Sequence, residues 1–225
     1  MRRMRVLMVI GIFGALFWDA LAEGAPPATV VVFGDSITAG GALPAAERSQ
    51  LWVALVETHS SGRLKMVNEG KGGRPTNSFR EFEVMLGRHP RVDVLMLALG
   101  MNDSRDITPE CVPKAVANLR KMLELARQNY GQGLRVLVAS PTNIRKDALV
   151  ATKPIAEQRA AKLRELGSAF QRLAADTDAR FVNLYGVVPE TSLSHDGVHP
   201  DGAGNAPLAQ VLLPVLLELA GAEPK

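Results

Sequence analysis

The chain is short of several features that would classify it at a glance. It has one cysteine, Cys111, in 225 residues. A single thiol makes no internal disulfide, so the fold must rest on its core. Cys111 opens a helical pattern just ahead of Val112-Pro113, which points to packing rather than to a nucleophile. Beyond the N-terminal region no stretch approaches the roughly 20 apolar residues that cross a bilayer. Neither sign of charge dominates, with 26 Lys and Arg against 23 Asp and Glu. There is no internal repeat, no low-complexity tract and no stripe of methionines.

Part of the small basic excess belongs to the N-terminus. Arg2, Arg3 and Arg5 precede an apolar run from Val6 to Trp18, and Ala20-Leu21-Ala22 follows as a small-x-small pattern. This is the layout of a secretory signal peptide. Cleavage after Ala22 leaves 23 basic and 22 acidic residues, so charge gives no ground for a nucleic-acid partner. The expectation is a signal peptide at 1–22, a spacer at 23–28, one folded domain at 29–220 and a tail at 221–225. The mature protein is then secreted or periplasmic, without stable membrane insertion. An uncleaved anchor is the alternative, but the apolar run is short for it and Asp19 interrupts it. No Cys lies near the cleavage point, so a lipoprotein anchor is not expected.

What is present is a repeated alternation. The hydrophobic share of 47% suits one domain with a real core. Thr29–Phe33, with three consecutive valines, reads as a strand covered on both faces. Further strands are expected at Leu64–Asn68, Val92–Leu99, Leu134–Ala139 and Arg180–Leu184. Helical spacing covers Glu47–His59, the segment after Asn77 or Ser78 to Leu86, Pro113–Asn129, Pro154–Thr177 and Ala203–Leu219. The stretch up to Lys153 reads as a loop or short lid. Five strand–helix units predict an α/β fold: a three-layer α/β/α sandwich on a five-stranded parallel sheet, in the flavodoxin-like order 2-1-3-4-5.

Polar and glycine residues gather at the strand ends. Gly34-Asp35-Ser36 follows the first, Asn68 through Gly73 the second and Gly100-Met101-Asn102-Asp103 the third. Asp196-Gly197-Val198-His199-Pro200 precedes the last helix. All carboxyl ends of a parallel sheet share one edge, so this topology brings Ser36, Gly73, Asn102, Asp196 and His199 within reach of one another. Their chemistry fits acyl transfer. A serine hydroxyl needs a base, and histidine serves near neutral pH. The imidazole needs a carboxylate to fix its tautomer, and Asp196 lies three residues before His199. An oxyanion needs donors, which the N–H groups of Ser36 and Gly73 and the Asn102 amide can supply. The Gly-x-Ser-x-Gly elbow of α/β-hydrolases is missing.

These blocks resemble those of the SGNH hydrolases, the GDSL esterase–lipase family. Gly34-Asp35-Ser36-Ile37 matches the first block, with Ile for the usual Leu. Asn68-Glu69-Gly70-Lys71-Gly72-Gly73 is similar to the second, Gly100-Met101-Asn102-Asp103 to the third and Asp196-Gly197-Val198-His199 to the fifth. The second block carries Lys71-Gly72-Gly73-Arg74 in place of a Val-Ser-Gly-Asp kind of run, and alignment on Asn68 selects Gly73. The resemblance implies Ser36 as nucleophile, His199 as base, Asp196 as the orienting acid, and Ser36, Gly73 and Asn102 as the oxyanion hole. It implies no metal and no organic cofactor. The look is nearest to small arylesterases and bacterial carbohydrate acetylesterases, which implies a small-molecule ester substrate.

Other readings compete. A lysophospholipase or thioesterase would need an apolar groove, for which Ala148-Leu149-Val150-Ala151 is the loop stretch available. An idle carbohydrate-binding module on the same scaffold would not need the triad residues at all. His195 neighbours Asp196, but His199 is the fourth residue of Asp-x-x-His. Gly70-Lys71-Gly72-Gly73 lacks the spacing of a phosphate-binding loop. Asp35 and Asp103 are expected to hold loops and cap helix starts. Arg74 and Asn143 border the expected cleft, with substrate contact and a solvated surface as the two readings.

Overall fold

The computed structural model describes residues 26–221, except for the side chains of 150–154. The signal peptide, the first half of the spacer and most of the C-terminal tail expected from the sequence lie outside the described residues. Five strands, β1 (Ala28–Gly34), β2 (Leu64–Gly70), β3 (Val94–Ala98), β4 (Arg135–Ala139) and β5 (Arg180–Val182), form one sheet in the order β2-β1-β3-β4-β5. Every pairing is parallel. Six α-helices accompany them: α1 (Ser36–Ala39), α2 (Trp52–His59), α3 (Phe79–Arg88), α4 (Cys111–Tyr130), α5 (Lys153–Asp176) and α6 (Gly202–Gly221). The expected sandwich and strand order are what is observed.

The layers follow from period-two alternation in apolar strands. Val30 and Val32 of β1, with Val94 and Met96 of β3, face Trp52 and Val56 of α2 and Leu208, Leu212 and Leu216 of α6. Val31 and Phe33, with Leu95 and Leu97, face Phe82 and Met85 of α3, Leu119 and Met122 of α4, and Leu166 and Phe170 of α5. Strands apolar at every position need cover on both sides, and the intervening helices provide it. Cys111 is buried in the second of these layers. Burial pushes its thiol up to about 11, with Asp103 and Asp106 adding to the effect, so the expected packing role holds.

Three expectations are corrected. The single helix expected from Glu47 to His59 is broken into a 3-10 turn (Ala45–Gln50) and α2, with Leu51 extended between them. The break has a tertiary cause. Leu51 offers no capping side chain, and the Trp52 N–H instead donates to Oδ1 of Asn205, 3.1 Å away in α6. The stretch before α5, expected as a loop or lid, is a kinked 3-10 helix (Lys146–Thr152). Finally, α6 is long and apolar enough to cross a membrane by length and composition. Its Gly, Asn and Pro residues hid this in the sequence, but the helix continues through Pro207 and Pro214. Leu208, Leu212 and Leu216 place it in the core against α2.

Asn205 is 2% exposed and also donates through Nδ2 to the Asp201 carbonyl at 2.8 Å. Its side chain therefore ties α2 to the segment just after His199-Pro200. Asn205→Ala leaves the Trp52 N–H without its acceptor, at a cost of about 1–3 kcal/mol. Thermal unfolding should show Tm lowered by roughly 3–10 °C in a chain of this size. Gly87→Ala, in the exposed part of α3 where an added methyl meets open space, should leave Tm equal or slightly raised.

Candidate active site

The site is built at one level of the sheet. Gly34, the last residue of β1, pairs with Gly70 of β2 on one side and Ala98 of β3 on the other. The segments that leave these three positions carry Ser36, Gly73 and Asn102. Asp35 caps α1 by accepting the Ile37 N–H at 3.0 Å, which leaves Ser36 at the first helical position. The Ser36 hydroxyl donates to His199 Nε2 at 2.8 Å, and His199 Nδ1–H donates to Asp196 Oδ2 at 2.5 Å. Gly41 packs against this row, since a Cβ there would stand 3.0 Å from the His199 ring and 3.3 Å from Ser36 Cβ.

The three-residue spacing works because the loop closes on its own carboxylate. Asp196 Oδ1 accepts from Ser194 Oγ at 2.7 Å, from Val198 N–H at 2.9 Å and from His199 N–H at 3.0 Å. Burial by itself pushes the Asp196 carboxyl up, but the His199 ring and these donors outweigh it and hold it well below the usual carboxylate range. The loop is fastened from outside by Arg145, which the sequence reading did not single out. Its backbone N–H donates to Gly197 O at 2.7 Å, and its guanidinium donates to Leu193 O and Ser194 O, both at 3.0 Å. Nothing in the local sequence marks Arg145 for this, because its acceptors are carbonyls about 50 residues on.

Two backbone donors of the site are without a partner among the described residues: neither the Ser36 nor the Gly73 N–H has an intramolecular acceptor. Gly73 has φ +74, a left-handed conformation that favours glycine, and an added Cβ would meet no protein atom within 4 Å. Asn102 Nδ2 donates one N–H to the carbonyl of the adjacent Arg74 at 3.1 Å, which leaves its second N–H for a ligand. Thr76 N–H and hydroxyl donate to Asp103, joining the two loops further. The structure thus brings together Ser36, His199 and Asp196, and sets Gly73 beside Asn102.

The remaining residues singled out from sequence have other work. Arg74 is buried with its guanidinium carbon 3.9 Å from the Phe33 ring centroid. It donates to Gly34 O at 2.7 Å, to Glu69 O and to Glu81 at 3.0 Å, so it fastens the glycine loop to β1 and α3. Asn143 is buried and pins the segment after β5 through Val188 O at 2.9 Å and Gly186 N–H at 3.1 Å. Neither side chain is a solvated surface group. His195 is exposed, and His89 bonds Glu69 at 2.6 Å. Asp103, like Asp35, holds loop structure. Among the described residues no group of three or more His, Cys, Asp or Glu side chains could hold a metal ion.

Comparison with known proteins agrees with this geometry. A family model described as the GDSL-like Lipase/Acylhydrolase family matches residues 32–206. A carbohydrate acetylesterase family member from Sinorhizobium meliloti superposes with TM-score 0.73 at 22% identity, covering 87% of this chain and 100% of that one. A putative arylesterase from Agrobacterium tumefaciens gives TM-score 0.71 at 23% identity, covering 85% of this chain and 99% of that one. These likenesses establish the fold. The uncharacterized lipoprotein YqeF of Bacillus subtilis (strain 168) is 34% identical over 101 residues, 43% of this chain. The match spans 41% of that relative's length.

Two carboxyls of the site carry opposite pH signatures. Burial pushes Asp35 up from 3.8 to about 6, against the Ile37 N–H and the nearby His199. Between those values the folded chain holds a proton that the unfolded chain has lost, so stability from Asp35 falls as pH rises through this window. Asp196 is depressed, so its stabilisation is present above the ordinary value of 3.8 and fades as pH falls below it. Asp35→Asn keeps a capping oxygen and should be about 2–3 kcal/mol more stable than the parent at pH 8. That gap should close near pH 4. Asp196→Asn should be less stable at pH 7, with its gap closing in more acid solution. Melting temperatures across pH 3–8 test both, and gaps independent of pH would contradict both assignments.

Proposed function

Because this chain belongs to the GDSL-like lipase/acylhydrolase family, we propose that it is a serine esterase that removes small acyl groups from ester substrates through an acyl-enzyme on Ser36. The observation that carries this reading is the hydrogen-bonded row Ser36–His199–Asp196, at 2.8 and 2.5 Å, beside acceptor-free N–H groups. In the first half-reaction Ser36 Oγ attacks the ester carbonyl and His199 Nε2 takes its proton. Asp196 stabilises the imidazolium through Nδ1–H. The Ser36 and Gly73 N–H groups and the second N–H of Asn102 receive the negative oxygen. His199 then gives the proton to the departing alcohol. Water, deprotonated by His199, releases the acid and restores Ser36.

Small acyl groups are favoured by the 3-10 helix before α5. Leu149, offered by the sequence as lining for a long-chain groove, is partly buried and packs against the core. Aryl and sugar acetates are the first substrates to try, since an arylesterase and a carbohydrate acetylesterase share the fold. An idle binding module would have no use for the Asp196–His199–Ser36 row. Export belongs to the same reading. Arg2, Arg3 and Arg5 before the Val6–Trp18 run support a signal peptide, and the Bacillus subtilis relative is termed a lipoprotein.

Hydrolysis of p-nitrophenyl acetate tests the chemistry. Ser36→Ala should lose several orders of magnitude in kcat. Asn102→Ala should lose about 10²–10³-fold. Full activity without Ser36 would refute the acyl-enzyme. A loss under about threefold would remove Asn102 from the oxyanion hole. Across acetate, butyrate and laurate esters kcat/KM should fall, and an optimum above about eight carbons would favour the lysophospholipase or thioesterase reading.

A further inference from the structure

Arg159, in α5, is 8% exposed. Among the described residues no carboxylate lies within ion-pair distance of its guanidinium. Buried arginines are normally paired, because the lost hydration must be replaced by an opposite charge. Here the replacement is polar groups of one loop. Nε donates to Ser104 Oγ at 3.0 Å, and Nη2 donates to Met101 O at 3.2 Å. Ser104 Oγ donates in turn to the same Met101 carbonyl at 2.7 Å. Nη2 also lies 3.3 Å from Met101 Sδ.

These contacts bracket Asn102. Met101 precedes it, Ser104 follows two residues later, and both are held by one planar cation. The turn also carries its own short bonds, Ser104 N–H to Gly100 O at 3.1 Å and Arg105 N–H to Asn102 O at 3.3 Å, and the Asp103 carboxylate within it accepts from Thr76. From the far side, Arg74 O holds one N–H of the Asn102 amide. Asp196 and Asp35 are the anions whose fields reach the guanidinium, and Arg105 opposes them.

We infer that Arg159 is a positioning residue for the oxyanion site: by gripping Met101 O and Ser104 Oγ it fixes the turn that aims the free N–H of Asn102. The inference rests on the esterase reading for its kinetic consequence, though not for its structural one. Arginine suits the task because its rigid fork reaches two acceptors in one plane. Lysine has the charge without the fork. Preorganised donors matter most in the transition state, so the loss should appear in kcat and not in KM.

The test is a double-mutant cycle with an independent spectroscopic readout. Arg159→Met should lower kcat for p-nitrophenyl acetate by about 10–50-fold with KM within twofold, and Arg159→Lys should fall between it and the parent. In the Asn102→Ala background the same Arg159 substitutions should cost less than about twofold, because a residue acting through another has nothing left to act on. The Asn102 Nδ2 protons, assigned by their loss in Asn102→Ala, should give two separate NMR resonances in the parent. In Arg159→Met and Arg159→Lys they should shift and broaden while the Asn143 and Asn205 amides stay in place. Equal losses in both backgrounds, or unmoved Asn102 resonances, would overturn the inference. If Arg159→Met does not fold, Arg159→Lys carries both readouts. An inactive parent would defeat the esterase reading instead, leaving the resonances to decide the role of Arg159.

Discussion

The pairing of β1 between β2 and β3 is the constraint on which everything at the site depends. Parallel hydrogen bonding sets Gly34, Gly70 and Ala98 side by side, so three chain segments leave the sheet at one height. A slip of one residue would reverse which side chains meet each helical layer. Val30 to Phe33 are all fully buried, so the exchanged side chains would meet helices packed to fit different ones. The hydrophobic packing of the strands thus sets the placement of polar groups that take no part in that packing.

Above this level the site is held by cations bonded to backbone carbonyls. Arg74 grips Gly34 O and Glu69 O under the glycine loop. Arg145 grips Leu193 O and Ser194 O behind Asp196 and His199. Arg159 grips Met101 O beside Asn102. Each loop that contributes to the site therefore has its own guanidinium. A planar fork with several donors can satisfy loop carbonyls that have no ladder partner, and it keeps water out while doing so. Rigid loops suit a site whose donors must be aimed before any charge develops.

The order of strands, the two covered faces and the convergence of Ser36, Gly73, Asn102, Asp196 and His199 were legible along the chain. Apolar strands alternating with amphipathic helices admit few arrangements, and in a parallel sheet the strand ends are bound to meet. The glycine at position 73 was legible too, and its φ lies in the left-handed region that glycine adopts most readily. What could not be read was long-range and polar. Asn205 breaks a helix more than 150 residues away by taking the Trp52 N–H. Arg74 read as either a substrate contact or a solvated surface group, because its acceptors, Gly34 O and Glu69 O, are carbonyls that no residue type announces.

The linear sequence by itself determined the type of layer, the sense of the sheet and the identity of the groups proposed to react. These depend on local periodicity and on functional groups that each residue carries wherever it lies. Only the tertiary structure decided where helices break, which arginines are buried and which donors remain without an acceptor. Those outcomes depend on partners brought from distant parts of the chain, and a backbone carbonyl that accepts such a bond leaves no mark in the residue that bears it.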